Sequence, residues 1–192
     1  MPIKRLVILF SGEGTNLENL IKKLHKKEFD GFKIEIVGAI TNNPTANGIK
    51  RAEKYGIEVK IINHKDFKTR EDFDKELVKK IEKLQPDLTI LAGFMRILTP
   101  IFTKNVKAIN IHPSLLPLFK GAKAIEESFY SDMKVGGVSV HFVTDELDSG
   151  KIIDQECFKK EQGMSLEEFE NKIHQIEYEI FPKAVLRVLK DF

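Results

Sequence analysis

Short runs of Val, Ile, Leu and Phe alternate along the chain with longer segments whose apolar side chains recur every three or four positions. A continuous apolar run reads as a strand buried on both faces; the wider spacing reads as an amphipathic helix. Strands are predicted over 5–10, 33–40, 58–63, 87–94, 106–112, 137–144 and 151–158. Helices are predicted over 15–27, 46–56, 70–84 and 124–130, with a long final helix over 165–192. Leu17, Leu20, Ile21 and Leu24 make the stripe of the first helix, and Phe73, Leu77, Ile81 and Leu84 that of the third. Ser165 and Glu168 have the spacing of a capping box, as do Thr15 and Glu18. Gly56 is placed to stop the second helix, and Pro182 is expected to kink or divide the last one.

Strand–helix alternation of this kind implies an α/β fold with a doubly wound, mostly parallel sheet. The final two strands form a hairpin and add a mixed C-terminal edge. With 192 residues and no internal linker or repeat, a single domain spanning 1–192 is expected. In such sheets ligands bind beyond the carboxyl ends of the strands, so polar residues there merit a closer look.

Three stretches carry them. "SGEGTNLENL" (11–20) follows the first strand and opens a helix, so backbone N–H groups lie beside Gly12 and Gly14. A phosphate monoester, a structural glycine turn and a dinucleotide are all compatible with it. The dinucleotide is the poorest match, because Leu17 stands where a third glycine belongs and the second strand ends in "ITNN". In "AINIHPSLLP" (108–117) alternation sends Asn110 and His112 to one face and Ile109 and Ile111 to the other. Pro113 favours ending the strand just beyond them. "HFVTDELDSG" (141–150) holds Asp145, Glu146 and Asp148 between two strands; a solvated hairpin tip would use the same residues.

Taken singly, the His reads as a hydrogen-bonded core residue and the turn as solvated surface. Together, an amide donor, an imidazole and a carboxylate at one sheet edge suit acyl transfer without a covalent nucleophile. Asn would stabilise an oxyanion, His would act as acid or positive charge, and Asp would hold the imidazole and relay protons. The chain has no GxSxG elbow and no zinc-ligand spacing, so no metal is expected.

Composition adds limits. The chain is 42% hydrophobic and 31% charged with a formal net charge of +2, its lysines scattered, so neither nucleic acid nor an anionic membrane is an expected partner. The single cysteine, Cys157, suits a reducing cytoplasm and is expected as a buried, inert thiol in a strand. The apolar run near the N-terminus is too short for a signal peptide, and "LTILAGFMRIL" is too short to span a bilayer. A cytoplasmic location is expected.

"SGEGTNL", "LAGFMRIL", "NIHPSLLP" and "SVHFVTDELDSG" occur in the order, and at about the separations, found in the glycinamide ribonucleotide formyltransferases, which this chain resembles from about residue 4 to 187. The resemblance implies transfer of a formyl group from 10-formyltetrahydrofolate to the amine of glycinamide ribonucleotide, in purine synthesis. It assigns catalysis to Asn110, His112 and Asp148, and phosphate binding to Gly14, Thr15 and Asn16. It further assigns a ribose contact to Glu177 and the folate pocket to Met95, Arg96, Ile97, Leu98 and Val143. Such enzymes act as monomers or homodimers. The sequence departs from the pattern at Lys120, where a proline is common, at Lys123, where a histidine is common, and at Lys151, also a frequent proline. Formyltetrahydrofolate deformylases share the fold but usually carry His-His where this chain has His112-Pro113. Methionyl-tRNA formyltransferases carry a C-terminal tRNA-binding barrel, not expected after the final helix here. A non-catalytic nucleotide-binding module is the alternative outside enzymes.

Overall fold

The computed structural model describes residues Met1–Asp191. Phe192, the last residue of the predicted final helix, lies outside the described residues. Contacts group the chain into two compact units, Met1–Ile109 and Asn110–Phe192; the architecture is α/β in both.

In the first unit, β1 (Ile3–Phe10) pairs in parallel with β3 (Phe32–Thr41) on one side and with β5 (Leu88–Leu91) on the other. β4 (Val59–Ile61) pairs in parallel with the far end of β3. A two-residue strand, β2 (Glu28–Phe29), pairs antiparallel with the near end of β3. The last five residues of β1 are fully buried, as an apolar run flanked by strands on both sides requires. α1 (Thr15–Leu24), α2 (Gly48–Glu53) and α3 (Arg70–Leu84) connect the strands, followed by the short α4 (Pro100–Thr103). Leu17, Leu20 and Leu24 of α1 and Phe73, Leu77 and Ile81 of α3 are buried with β1, the stripes the periodicity predicts.

The second unit takes over within β6 (Ala108–His112), whose residues from Asn110 on belong to it. α5 (Ala124–Tyr130) and the antiparallel pair β7 (Val135–Phe142) and β8 (Ile152–Lys159) follow. α6 (Leu166–Lys190) closes the chain. Phe169 of α6 packs against Phe129 of α5 and Phe158 of β8, with ring centroids 5.4 and 5.1 Å apart. The Ser165–Glu168 capping box is present with both of its hydrogen bonds.

Three expectations fail. The Thr15–Glu18 capping box does not form: Gly14, at φ 72°, is the N-cap of α1, and Thr15 is already helical. Glu18 instead binds Arg51 at 2.5 Å and the Tyr55 hydroxyl at 3.0 Å. Of the kink or division expected at Pro182, the division does not occur: the last helix is continuous through it, with Pro182 buried. Cys157 is exposed, because β8 ends the strand order and most of its side chains face solvent. Among the described residues, no helix is long and apolar enough to cross a membrane.

Candidate active site

The residues singled out from the sequence fall in both units, and each set has its own geometry. In the first unit the glycine loop leaves β1 through the buried Ser11. Ser11 Oγ donates to Asn42 Oδ1 at 2.5 Å and accepts the Met95 N–H at 2.8 Å. The Ser11 N–H donates to the Gly93 carbonyl at 3.0 Å, and Gly48 N–H to the Gly12 carbonyl at 3.0 Å. The loop therefore turns on a fixed base. Gly14 is required there twice over: its φ is left-handed, and a Cβ would stand 2.6 Å from the Gly48 Cα. Thr15 and Asn16 follow in the first turn of α1, where backbone N–H groups have no intrahelical acceptor and favour an anion.

The segment 92–99 lies in the same unit and is not strand, although the sequence extends strand character to residue 94. Met95 and Ile97 present exposed apolar side chains, and Leu98 is buried. The Arg96 guanidinium lies 5.0 Å from the centre of the Phe73 ring, while its buried Nε has no hydrogen-bond partner. Exposed apolar groups beside an unsatisfied N–H fit a flat heterocycle with polar edges. Asp74, almost fully buried, anchors the end of the segment by accepting the Thr99 N–H at 2.6 Å and the Thr99 hydroxyl at 2.7 Å. Burial pushes its carboxyl above the usual range, against the pull of those two bonds and of Arg96.

In the second unit Asn110 and His112 share a face of β6, as alternation requires; His112 is buried and Asn110 half-buried. The His112 Nδ1 lies 3.4 Å from Asp148 Oδ2, and its Nε2 donates to the Phe119 carbonyl at 2.7 Å. Both ring nitrogens thus face acceptors. Asp148 sits in the turn after β7 at φ 50° and also accepts the Gly121 N–H at 2.9 Å. Burial works to raise its carboxyl pKa, but the His141 ring, the Gly121 amide and the His112 charge together hold it below the usual carboxylate value.

His141, which the sequence reading did not single out, completes this cluster. It is 2% exposed, and its Nε2 lies 3.6 Å from Asp148 Oδ1 and 3.3 Å from Asn110 Nδ2. Its Nδ1–H donates to the Phe142 carbonyl at 2.9 Å; in the neutral ring this leaves Nε2 to accept one hydrogen of the Asn110 amide, and in the charged ring Nε2 donates to Asp148 instead. The second amide hydrogen remains for a ligand. The only sequence signal was a His on the same face of β7 as Ser139, which reads as core. Opposite Val140 and His141 the pairing with β8 shifts by one residue, leaving Ile153 unmatched. Bulges of this kind re-aim side chains, here on the strand that carries His141. Gly150 closes the acidic turn so tightly that a Cβ would stand 1.7 Å from the Phe142 carbonyl oxygen.

Glu177 is buried on α6, with His174 Nδ1 3.0 Å from its Oε2. That contact, working against burial and helped by Glu170, raises the His174 pKa. Val143 is half-buried just beyond β7. Lys123 and Lys151 are exposed. Among the described residues, no group of three His, Cys, Asp or Glu is placed to hold a metal ion.

Comparison with known proteins shows the family. The profile of the family described as formyl transferase matches residues 4–185. The trifunctional purine biosynthetic protein adenosine-3 of Bos taurus is 39% identical over 183 residues, and its Homo sapiens counterpart equally so. The match takes in 94% of this chain but only 18% of those relatives, so the chain spans less than a fifth of their length. The phosphoribosylglycinamide formyltransferase of Campylobacter jejuni subsp. jejuni NCTC 11168 is 57% identical with a TM-score of 0.95, covering 97% of this chain and 98% of that one. The enzyme of the same name from Bacillus Halodurans is 34% identical with a TM-score of 0.87, covering 97% and 95%. Matched over nearly its whole described length in sequence and in fold, the chain belongs to the formyl transferase family.

Proposed function

We propose that the chain transfers the formyl group of 10-formyltetrahydrofolate to the amine of glycinamide ribonucleotide, a step of purine biosynthesis. The observation that carries the reading is the Asn110–His112–Asp148 cluster, its His and Asp buried, with no nucleophilic Ser or Cys in it. The names of the relatives, and the similarity of the whole chain to phosphoribosylglycinamide formyltransferases, support it.

The substrate's own amine is then the nucleophile. It attacks the formyl carbon, a C–N bond forms, and the carbonyl oxygen takes up negative charge. Asn110 donates its free amide hydrogen to that oxygen. His112, positively charged, turns its Nε2–H from the Phe119 carbonyl to the oxyanion. Asp148 stabilises the charged ring and passes the proton lost by the amine, through water, to the departing folate nitrogen as the old C–N bond breaks. His141 keeps the Asn110 amide aimed. Gly14, Thr15 and Asn16 hold the phosphate of the ribonucleotide, and Glu177 its ribose hydroxyls. Met95, Arg96, Ile97, Leu98 and Val143 surround the pterin, with the Arg96 Nε–H available to its polar edge.

Residues 1–192 act as one formyltransferase domain on small molecules, as a monomer or homodimer in the cytoplasm, without a nucleic-acid partner. The near-neutral charge and the single cysteine support this. The test follows release of the folate product spectroscopically with and without glycinamide ribonucleotide. Release only with the acceptor is expected. Equal rates in both would mean hydrolysis, and no release in either would mean a binding module.

A further inference from the structure

The segment after β6 wraps back over the catalytic cluster, and three consecutive residues of it each touch a different part. The Phe119 carbonyl accepts from His112, and the Gly121 N–H donates to Asp148. Between them, Lys120 Nζ donates to Ser149 Oγ at 2.5 Å and lies 3.6 Å from Glu146 Oε1. Ser149 and Glu146 flank Asp148 in the acidic turn. From these contacts we infer that Lys120 is a positioning residue, whose ammonium clasps both sides of the acidic turn and so keeps Asp148 between His112 and His141. The role rests on the formyl-transfer reading and goes beyond it, since that reading gives Lys120 no part.

An exposed ion pair alone would stabilise little. The clasp gains its effect from what it closes. Phe119 and Asp148 both hold left-handed backbone conformations, at φ 55° and 50°, which side chains with a Cβ adopt only when surrounding contacts enforce them. Ser114 Oγ fixes the start of the wrapping segment through the Leu118 carbonyl at 2.6 Å, and Ser139 Oγ accepts the Leu116 N–H at 3.0 Å. Lys120 supplies the matching hold on the turn. Without it the acidic turn loses its side-chain hold on the wrapping segment, and the Gly121–Asp148 bond is left as the direct link between the two.

Of the charged and titratable groups around Asp148, His112 from β6 and His141 from β7 meet its carboxylate, Lys120 from the wrapping segment pairs with Glu146 of the same turn, and Asp145 lies in that turn as well. Removing Lys120 loosens the Gly121 amide and takes the ammonium away from Glu146, both of which favour protonated Asp148. The acid limb of the pH profile of kcat therefore moves to higher pH.

The experiment compares Lys120→Met, Lys120→Arg and Ser149→Ala with the wild type. Lys120→Met should lower kcat roughly tenfold, since small misplacements of a catalytic group are costly. The KM values for both substrates should hold within about twofold, as expected when only transition-state interactions are lost. The acid limb should shift upward, Lys120→Arg should restore most of the rate, and Ser149→Ala should move kcat and the acid limb the same way. NMR titration of the His112 and His141 rings reads the same change without turnover. It still decides the role of Lys120 if the wild type fails to transfer formyl, which would overturn only the reaction. Wild-type kcat, pH profile and ring titrations in Lys120→Met would overturn the inference. So would a loss of rate that tracks lower thermal stability while the pH profile stays fixed. If Lys120→Met does not fold, a silent Ser149→Ala has the same force.

Discussion

Asp148→Asn isolates the charge of the carboxylate proposed to act in catalysis. The amide oxygen can take the place of Oδ2, keeping the Gly121 N–H bond, while the NH2 faces His141 Nε2, so the geometry survives. What is lost is the pairing with the His112 ring at 3.4 Å, in a site where both side chains are less than a tenth exposed. At that separation two unit charges attract by about 5 kcal/mol with an effective dielectric of about 20, an upper limit. A hydrogen bond to a charged group has a net value of about 1.5–3 kcal/mol, a lower limit. Between these limits kcat falls roughly 10²–10³-fold. The assay is steady-state release of the folate product with glycinamide ribonucleotide saturating, alongside a thermal melt to establish that the variant is folded. A folded Asp148→Asn enzyme within about threefold of the wild-type kcat would refute the role given to the carboxylate.

Other outcomes follow from the same geometry. The folded-state pKa of Asp148 lies below the ordinary 3.8. Its contribution to stability is therefore present above that value and is lost as pH falls through the lower, folded pKa. Denaturant unfolding should show the wild type's advantage over Asp148→Ala shrinking between neutral and strongly acid pH, and a constant difference would contradict the linkage. His112→Ala should lower turnover on the order of 10²–10⁴-fold with the fold intact. Asn110→Ala should lose roughly 10²–10³-fold, and full activity in either variant would exclude the oxyanion mechanism. Asp74→Ala strips the Thr99 N–H of its buried acceptor and should cost about 1–3 kcal/mol in denaturant unfolding. Its KM for the folate should rise while that for the ribonucleotide stays put; the reverse pattern would detach the 92–99 segment from folate.

Much of this was legible because local signals and tertiary demands agree. The stripe of α3 and the run of α5 end where the sequence says they end, at Arg70–Leu84 and Ala124–Tyr130. Alternation in β6 is enough to pair Asn110 with His112. Where the sequence misled, a longer-range contact had overridden a local one. Glu18 has the spacing to cap α1, yet Arg51 and Tyr55 offer it a charge and a hydroxyl, and the glycine cap needs no side chain. Cys157 lies in a strand as expected, but exposure there depends on the strand's place in the order, which periodicity does not encode. His141 went unnoticed for a related reason. Its partners, Asn110 and Asp148, are brought to it by β6 and by the turn beyond its own strand, and no fixed spacing announces such a meeting. Lys120 was visible only as a departure from a pattern; its partners Ser149 and Glu146 could not be read from it.

The one-residue shift where β8 passes Val140 and His141 makes the site sensitive to arithmetic as well as to chemistry. With Ile153 unmatched, β7 and β8 keep register on either side of the bulge only because β8 carries one residue more. A chain lacking Ile153 would keep every side chain of the proposed site and have an unbroken ladder. It would also lose the bulge beside His141, and with it the local bend that aims the side chains there. Relatives of this protein are therefore free to vary the identities along β8, where most side chains meet water, but not their number. Length variation in this family should fall in the loops and stop short of this pair of strands.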